Sequence, residues 1–422
     1  MNKNKIIAAV DLGSSKVATL IAQVSEGATG YDSQVNIVGV SSVASRGIKK
    51  GQIVDLEEAV ETAIESVEAA ERMAGYNLDK AFVSLGGASI ASENSQGVVA
   101  VSNPNSEIVE SDVDRAIEAA SAISLPSSRE IIHILPKEFV VDGEGGVKDP
   151  LGMSGIRLEV ETHLITASSA SIKNIKKVLN EVGIDIIELV YTGLASSEAV
   201  LTKTEKELGC VLVDIGGGTT SIAVYIDGAL SYSSVIPIGA KNVTNDLAIG
   251  LRVSLESAEK IKVALSEEAK RQKKKEDSDE IELAQFGIGD SKKITKKTLT
   301  EGIIRPRLNE IFTMVKVELE KENLLSLVPS GVIVTGGGAE TIGLEDSAKR
   351  MLSLPARIGK PRGLSGLIDD VINPAFSTCA GLILYAVTNE VQQPLTSFSG
   401  RFKLSTGGIM SKLISSIKDL LP

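Results

Sequence analysis

Short apolar runs alternate along the chain with segments in which apolar residues recur at helical spacing. Residues 6–10 and 17–24 form two apolar runs, and the polar turn DLGSSK at residues 11–16 separates them. From residue 56 to residue 74 the apolar positions follow a helical period, and Gly75 ends the pattern. This alternation of strand and helix patterns predicts an α/β fold built in layers, rather than a helical bundle or a sandwich.

Three further segments carry specific predictions about local structure. The sequence SDVD at residues 111–114 resembles a capping box and predicts a helix running from there to residue 123. The glycine-rich residues 143–155 predict a long exposed loop. A single helix is predicted over residues 194–208, and the run CVLVDI after it predicts a buried strand.

One internal repeat suggests how the chain is organised. Asp11 opens the sequence DLGSSKVATL, and Asp214 opens the similar sequence DIGGGTTSIAV about half the chain length later. In both copies an apolar strand ends in Asp, a turn of Gly, Ser or Thr follows, and a second apolar strand leaves. The simplest interpretation is two similar lobes, each offering one such hairpin.

The two hairpin turns have the chemistry of phosphate-binding loops. Their backbone N–H groups have no strand partner, and glycine lets an anion come close. Side chains add hydroxyl donors and one positive charge: Ser14, Ser15, Thr219, Thr220 and Lys16. Asp11 and Asp214, at the strand ends, are placed to hold waters around Mg²⁺, which keeps several of its waters in protein sites.

A third glycine-rich element follows an apolar strand at residues 331–340, GVIVTGGGAE. Its three glycines would let a flat ring or a sugar lie against the backbone, at the start of a helix predicted near Ala339. The order of the three elements is more specific than any one of them.

Composition limits the class of protein. The chain has 422 residues, a formal net charge of −11, 43 % hydrophobic and only 3 % aromatic residues. The apolar share predicts a large aliphatic core, and the net acidity argues against nucleic acid as a partner. Cys210 and Cys379 both lie in apolar runs, which argues against a disulfide scaffold or a structural zinc site and fits a reducing compartment. The first residues do not resemble a signal peptide, so we expect a cytosolic protein.

Other catalytic chemistries find little support in the sequence. The patterns of P-loop enzymes, dinucleotide-binding folds, zinc proteases and serine hydrolases are missing. His133 and His163 are the only histidines and lie in apolar runs, where a structural role is expected. Since no base accompanies a nucleophile, strong catalysis is not predicted.

Two further segments, residues 270–280 and residues 393–422, predict different structures. The mixed-charge run KRQKKKEDSDE at residues 270–280 predicts a solvated helix face or flap. Residues 393–408 predict a linker, and residues 409–422 an amphipathic helix about 21 Å long, too short to span a bilayer but suited to lie in its surface. Residues 401–422 contain four basic residues and one acidic residue, so this segment is positively charged. The membrane-facing candidates are Ile409, Met410, Lys412, Leu413, Ile414, Ile417, Lys418, Leu420 and Leu421.

The two Asp hairpins and the Gly-rich strand end resemble the nucleotide site of the superfamily of actin, heat-shock chaperones and sugar kinases. Over nearly its whole length the chain resembles the bacterial FtsA family, through AVDLGSSKV, SRGIKKGQIVDLEEAV, TGLASSEAVL, VLVDIGGGTTSIAVY, AEKIKV and VIVTGGGAE. The resemblance implies a two-lobed, actin-like ATPase fold in the α/β class, with an FtsA-type inserted subdomain. It implies a first lobe at 1–83, completed by about 163–198 and 375–392. The insert would span 84–162, and a second lobe 199–374.

The resemblance also implies ATP with Mg²⁺ in the cleft between the lobes, with at most slow hydrolysis. Asp11 and Asp214 would hold the metal through water. Three sets of residues would contact the nucleotide: Gly13, Ser14, Ser15 and Lys16 at phosphates; Gly216, Gly217, Gly218 and Thr219 also at phosphates; Gly336, Gly337, Gly338, Glu259 and Lys262 near the nucleoside.

Partners are implied in the same way. The family anchors the FtsZ ring to the cytoplasmic membrane face at the division site, polymerises with itself, and meets anionic lipids and other division proteins. The FtsZ C-terminal peptide is acidic and hydrophobic, and its contact would lie in the subdomain at about 241–310. The basic candidates there are Lys296, Lys297, Arg305 and Arg307.

Two departures and two alternatives remain. The tail lacks the Trp often found in this family's membrane helix, and the charged insertion at 270–280 leaves the outline of the FtsZ-binding subdomain open. A PilM-like actin homologue of a type IV pilus assembly, or a small-molecule kinase of the superfamily, would share the nucleotide motifs. The basic amphipathic end favours the division protein over the first, and the lack of a catalytic Asp base disfavours the second.

Overall fold

The computed structural model describes residues 5–25, 34–103, 105–270, 280–286, 293–367 and 371–392. The chain divides into two compact units, Met1–Ala386 and Val387–Pro422. Of the second unit only the end of one helix is described. The predicted linker at 393–408, the amphipathic helix at 409–422 and most of the charged run, 271–279, lie outside the described residues.

Strands and helices alternate along the first unit, as predicted. The strands are β1 (Lys5–Leu12), β2 (Lys16–Ser25), β3 (Gln34–Ala44), β4 (Ile48–Lys49), β5 (Gln52–Ile53), β6 (Lys80–Leu85), β7 (Ala91–Ala100), β8 (Arg129–Val141), β9 (Glu144–Val147), β10 (Arg157–Ser168), β11 (Asp185–Tyr191), β12 (Cys210–Ile215), β13 (Thr220–Ile226), β14 (Ala229–Ile236), β15 (Glu280–Glu282), β16 (Lys293–Thr295), β17 (Val332–Thr335), β18 (Ala356–Ile358) and β19 (Ser365–Gly366). The helices are α1 (Leu56–Ala74), α2 (Glu110–Ser121), α3 (Ser169–Val182), α4 (Thr192–Val200), α5 (Lys203–Leu208), α6 (Ala240–Leu251), α7 (Leu255–Lys270), α8 (Lys296–Leu299), α9 (Arg305–Lys321), α10 (Leu344–Leu352) and, reaching into the second unit, α11 (Ser377–Gln392).

Two mixed sheets contain the two copies of the repeat. The first sheet has the order β11-β6-β1-β2-β3-β19, and the second has the order β14-β13-β12-β17-β18. β1 pairs with β2, and β12 with β13, as antiparallel hairpins, while β6 and β17 run parallel to β1 and β12. Both hairpins are buried among aliphatic side chains, so their turns are fixed at the sheet edges where the strands end.

A third sheet, of order β7-β10-β8-β9, pairs with neither of the other two and is entirely antiparallel. Helix α2 covers it around a small core that includes Ile108, Phe139 and Leu158. Gly97 on β7 allows this close packing, because a Cβ there would lie 2.0 Å from the carbonyl oxygen of Ala116 on α2.

Helices α1 and α3 both end at a glycine, and the sequence predicts this end for α1. Asp55 caps α1 by accepting a hydrogen bond of 3.1 Å from the Glu58 N–H, and Gly75 ends it in the left-handed region at φ +73°. Gly183 ends α3 in the same conformation, at φ +86°.

Two predictions for segments beside the third sheet were wrong: the start of a helix and the extent of a loop. Helix α2 begins at Glu110, and the buried Asp112 caps it by accepting from the Val109 N–H at 3.2 Å, so Ser111 lies inside the helix. The predicted loop 143–155 contains strand β9, which folds back onto β8. Asp142 and Gly143 both have positive φ, the geometry of the two-residue hairpin turn that the Asp-Gly pair favours.

Two further helix predictions also need correction. The helix predicted over 194–208 is two helices, α4 and α5, because Thr202 and Glu205 form a capping box that starts the second. The helix predicted near Ala339 is one 3₁₀ turn, Gly337–Glu340, and α10 begins only at Leu344.

Candidate functional site

The first hairpin turn places a half-buried carboxylate beside a polar loop. Asp11, near the end of β1, accepts a hydrogen bond of 2.6 Å from Ser84 Oγ. Burial raises the pKa of Asp11, against the opposing effects of the Ser84 hydrogen bond and the charge of Lys16. Gly13 makes the tight turn possible, since a Cβ there would lie 2.6 Å from the Lys16 carbonyl oxygen. A carboxylate that is destabilised in its charged form is a good partner for a cation.

The second hairpin turn repeats this arrangement. Asp214 Oδ2 accepts hydrogen bonds from Ser196 Oγ at 2.5 Å and from Thr378 Oγ1 at 3.1 Å. Burial raises the pKa of Asp214 to about 6; the Ser196 hydrogen bond opposes this shift and the charge of Asp11 adds to it. Two aspartates at the ends of equivalent strands, Asp214 buried and Asp11 half-buried, therefore face the same space, where their charges repel each other.

The two turns touch each other. A Cβ added at Gly217 would lie 2.6 Å from the Cβ of Ser15, and one at Gly218 would lie 3.0 Å from the Cβ of Ser14. Lys241 joins them, because its N–H donates to the Gly217 carbonyl at 2.9 Å and its Nζ to the Ser14 carbonyl at 2.7 Å. The Gly51 N–H also holds Ser14, through a 2.8 Å hydrogen bond to Ser14 Oγ. The loops form one continuous surface of backbone N–H groups and hydroxyls.

The third glycine-rich element lies beside the second turn. β17 runs parallel to β12, and Thr335 is in register with Asp214. Gly336 follows at φ +83°, and a Cβ there would lie 2.2 Å from Asp214 Oδ1. Only glycine allows this approach of backbone to carboxylate.

A polar triad from two neighbouring helices lies across the same cleft. Thr244 Oγ1 on α6 donates to Glu259 Oε2 on α7 at 2.5 Å. Lys262 Nζ donates to Thr244 Oγ1 at 2.9 Å and to Glu259 Oε2 at 2.8 Å. The triad offers the cleft a partly exposed carboxylate and a buried ammonium, both suited to hydroxyl and ring-nitrogen groups.

The structure brings nearly all of the residues predicted for nucleotide and metal into one cleft. Two of them do not line it: Gly218 touches Ser14, and the buried Thr220 donates its hydroxyl to the Ile238 carbonyl at 2.9 Å. Residues that the sequence analysis missed also line it: Thr192, Ser221, Ala240, Lys241, Ala375 and Thr378. Lys241 had a local signal, since it follows Gly239 at the start of a helix, but nothing in the sequence placed Ala375 or Thr378 beside loops more than 150 residues earlier.

Two carboxylates of the cleft could hold a metal ion. Within the described ranges no group of three or more His, Cys, Asp or Glu side chains is arranged to hold a metal ion. The pKa of each of the two carboxylates, Asp11 and Asp214, is raised by burial, and neither accepts a hydrogen bond from a cationic side chain of the described residues. This pair suits a hard cation that takes its other ligands from water and phosphate, as Mg²⁺ does.

The basic residues predicted to meet an acidic peptide differ in availability. Lys297 is exposed and makes no ion pair within the part of the chain that the structure describes. The other three already pair with carboxylates of this chain: Lys296 with Glu268, Arg305 with Glu301, and Arg307 with Asp246. An acidic ligand would have to displace these carboxylates, so Lys297 is the candidate best placed to receive one.

Both histidines and both cysteines are buried. His133 Nε2 accepts from the Tyr191 N–H at 3.0 Å, and His163 is hydrogen-bonded to Asn94 and Ser233. Burial lowers the pKa of His133 to about 4 and of His163 to about 3, so both are neutral near pH 7. These contacts agree with the predicted structural role.

Comparison with known proteins identifies the family. The family described as cell division protein FtsA matches residues 211–381, and the SHS2 domain inserted in FtsA matches residues 87–166. Cell division protein FtsA of Borreliella burgdorferi is 39 % identical over 403 residues, which are 96 % of each chain. The chain belongs to the FtsA family. The FtsA protein of Pseudomonas aeruginosa is 36 % identical over 95 % of this chain and 94 % of the relative, and that of Escherichia coli K12 is 34 % identical over 94 % and 95 %.

Solved structures confirm the fold that FtsA membership implies. The PilM–PilN type IV pilus biogenesis complex contains a chain with a TM-score of 0.62 at 16 % identity, covering 90 % of this chain and 98 % of that one. MreB5 of Spiroplasma citri, bound to ADP, gives a TM-score of 0.53 at 14 % identity, covering 92 % and 97 %. The fold is actin-like with the FtsA-specific insert, and the role of the family is cell division. At 16 % identity the PilM likeness shows the fold alone, so it does not support the pilus alternative.

No helix among the described residues combines the length and hydropathy needed to cross a bilayer.

Proposed function

We propose that this FtsA-family chain binds ATP with Mg²⁺ in the cleft, polymerises on the cytoplasmic membrane face, and anchors the FtsZ ring there at the division site. The observation that carries the nucleotide proposal is the convergence of two phosphate-type turns, two aspartates and a glycine-rich strand end on one cleft. The MreB5 structures with ADP and AMPPNP support it, since that protein shares the fold.

Each part of the cleft has a distinct proposed role. Ser14, Ser15, Lys16 and the backbone N–H groups of the two turns bind phosphate oxygens. Asp11 and Asp214 hold the waters of Mg²⁺, which neutralises phosphate charge when it is bound. Glu259 and Lys262 contact the nucleoside, against the backbone of residues 336–338. With no base beside a nucleophile in this arrangement, at most slow hydrolysis is expected.

Calorimetric titration with ATP and Mg²⁺ tests this site. Asp11→Asn and Asp214→Asn should each weaken binding about tenfold or more, because each removes a charge that faces the metal. Asp185→Asn, at an exposed position on β11, is the matched control and should bind like the wild type. Unchanged affinity in both cleft variants would refute the site.

The membrane part of the proposal depends on residues 409–422, whose apolar positions recur at helical spacing. Removing these residues should abolish flotation with vesicles that contain anionic lipid. A finer test introduces the same charge on opposite sides of the proposed helix. Ile414→Glu should abolish flotation, whereas Ser415→Glu should reduce it only modestly. Equal flotation of the wild type and the truncated chain would contradict membrane anchoring.

The FtsZ part is proposed for the subdomain of α6 to α9, at about 241–310. Lys297 is its most available cation, and Lys296, Arg305 and Arg307 could contribute by exchanging their present carboxylate partners. Lys297→Glu should weaken binding of an acidic–hydrophobic FtsZ C-terminal peptide, measured by fluorescence anisotropy. Lys173→Glu, on an exposed position of α3, should not. Equal effects of the two variants would place the peptide elsewhere.

The filament part is tested on a lipid monolayer. Negative-stain images should show filaments with ATP and few without it, and the Asp214→Asn variant should form few in either case. Filaments of equal length and number without nucleotide would show that polymerisation does not depend on a nucleotide in the cleft.

A further inference from the structure

Lys16 occupies an unusual position in the cleft. Its Nζ lies 3.4 Å from the centre of the Phe376 ring, over the face. No hydrogen bond or ion pair from this Nζ to any other residue is found within the described ranges. Asp11, Asp214 and Glu340 act on it only through longer-range attraction, and burial lowers its pKa. The ammonium therefore rests on an aromatic face although three carboxylates surround it.

Three hydrogen bonds fix the turn that carries Phe376. Pro374 opens the 3₁₀ turn that carries the ring, and Asn373 Oδ1 caps this turn by accepting from the Ala375 N–H at 2.8 Å. The Phe376 N–H donates to the Asn373 carbonyl at 2.9 Å. Asn373 Nδ2 also donates to Glu340 Oε2 at 3.0 Å, which ties the turn to the glycine-rich element. The turn is thus tied to the glycine-rich element, and the ring that it carries gives the Lys16 ammonium a platform.

The ring platform matters because the Lys16 ammonium could otherwise bond to a carboxylate of the cleft. A lysine side chain has four rotatable bonds, and an ammonium this close to Asp11 and Asp214 could bond to either carboxylate. That bond would occupy N–H donors that a phosphate needs and would remove a carboxylate from a metal. A ring face attracts the ammonium through its quadrupole without using any of its three N–H donors.

We infer that Phe376 is a positioning residue, whose ring holds the Lys16 ammonium off the two aspartates and presents its N–H donors to an anionic phosphate oxygen. The inference rests on the proposed nucleotide site and adds a residue to it from a turn more than 350 positions away. It predicts that the ring acts only through Lys16 and only on phosphate-bearing ligands.

A double-mutant cycle tests this role with ADP as the probe. Phe376→Leu keeps an apolar side chain but removes the ring, and should raise the Kd for ADP about fivefold, which corresponds to about 1 kcal/mol. Phe376→Tyr keeps the ring and should bind ADP like the wild type. In a Lys16→Met background, Phe376→Leu should change the Kd less than about twofold, because the partner of the ring is gone.

Adenosine, measured by displacement of a fluorescent nucleotide, separates positioning from a general structural effect. Its affinity should be the same in the wild type and in Phe376→Leu, since it carries no phosphate. An unchanged ADP affinity in Phe376→Leu, an equal loss in the Lys16→Met background, or an equal loss for adenosine would each overturn the inference while leaving the nucleotide site in place. A wild-type chain that binds neither ligand would instead overturn the proposed nucleotide site, and the role of Phe376 with it.

Discussion

The contact between the two hairpin turns gives the sharpest test of how the cleft is built. In the Gly217→Ala variant the new Cβ would lie 2.6 Å from the Cβ of Ser15. Carbon atoms pack at about 3.5 to 4.0 Å, so the turns would have to separate by about 1 Å. This separation would also lengthen the hydrogen bond of 2.7 Å with which Lys241 Nζ reaches the Ser14 carbonyl on the first turn.

The cost can be estimated from similar changes in packed contacts. Adding a methyl group to such a contact costs about 1 to 3 kcal/mol. If the nucleotide requires the turns in contact, the Kd for ADP should rise by the corresponding factor, about 5- to 150-fold. Isothermal titration calorimetry measures this factor, and a thermal melt checks that the variant is folded.

Two further variants separate the contact from a general effect of alanine in a glycine turn. Gly216→Ala adds a Cβ whose nearest neighbour is the Thr219 carbonyl oxygen at 3.3 Å, within the same turn, so the loss should be less than about threefold. In a Ser15→Gly background the obstructing Cβ is gone. The backbone nitrogen of residue 15 lies 3.4 Å from the new Cβ, which is an ordinary contact, so Gly217→Ala should then have little effect. Wild-type affinity in Gly217→Ala, or a loss that Ser15→Gly does not relieve, would refute the closed arrangement of the turns.

Three other predictions concern the inserted sheet and the buried thiols. Burial raises the pKa of Asp112, but hydrogen bonds from Ser102, Val109 and Arg115 outweigh burial and hold it at about 2. This carboxylate should contribute about 2 kcal/mol above pH 4 and lose it as the pH falls towards 2, as denaturant melts of the wild type and Asp112→Asn would reveal. Gly97→Ala should lower the melting temperature by several degrees and Gly145→Ala should not, because only the first added Cβ meets the α2 backbone. Cys210, whose pKa burial raises to about 12, and Cys379 should react with a thiol reagent only after denaturation.

Local patterns in the sequence determined the class of fold and most of the cleft. The two Asp-x-Gly turns carry their own conformation, because an apolar strand, a turn of small residues and a second strand can form a hairpin without distant help. Two of the four boundary errors also had a local cause. The Asp142–Gly143 hairpin turn and the Thr202–Glu205 capping box were both visible in the sequence, and were overlooked.

Several groups that meet in the cleft come from distant parts of the chain, and folding alone brings them together. Asp214 is held by Ser196 and Thr378, Lys16 lies on Phe376, and Arg307 is already bound to Asp246, each through contacts between separate elements. No periodicity encodes such contacts, because the packing of whole sheets and helices sets the distance between side chains far apart in sequence. The order of residues is enough to place two Asp-x-Gly hairpin turns, whereas their contact exists only because the folded sheets bring them together.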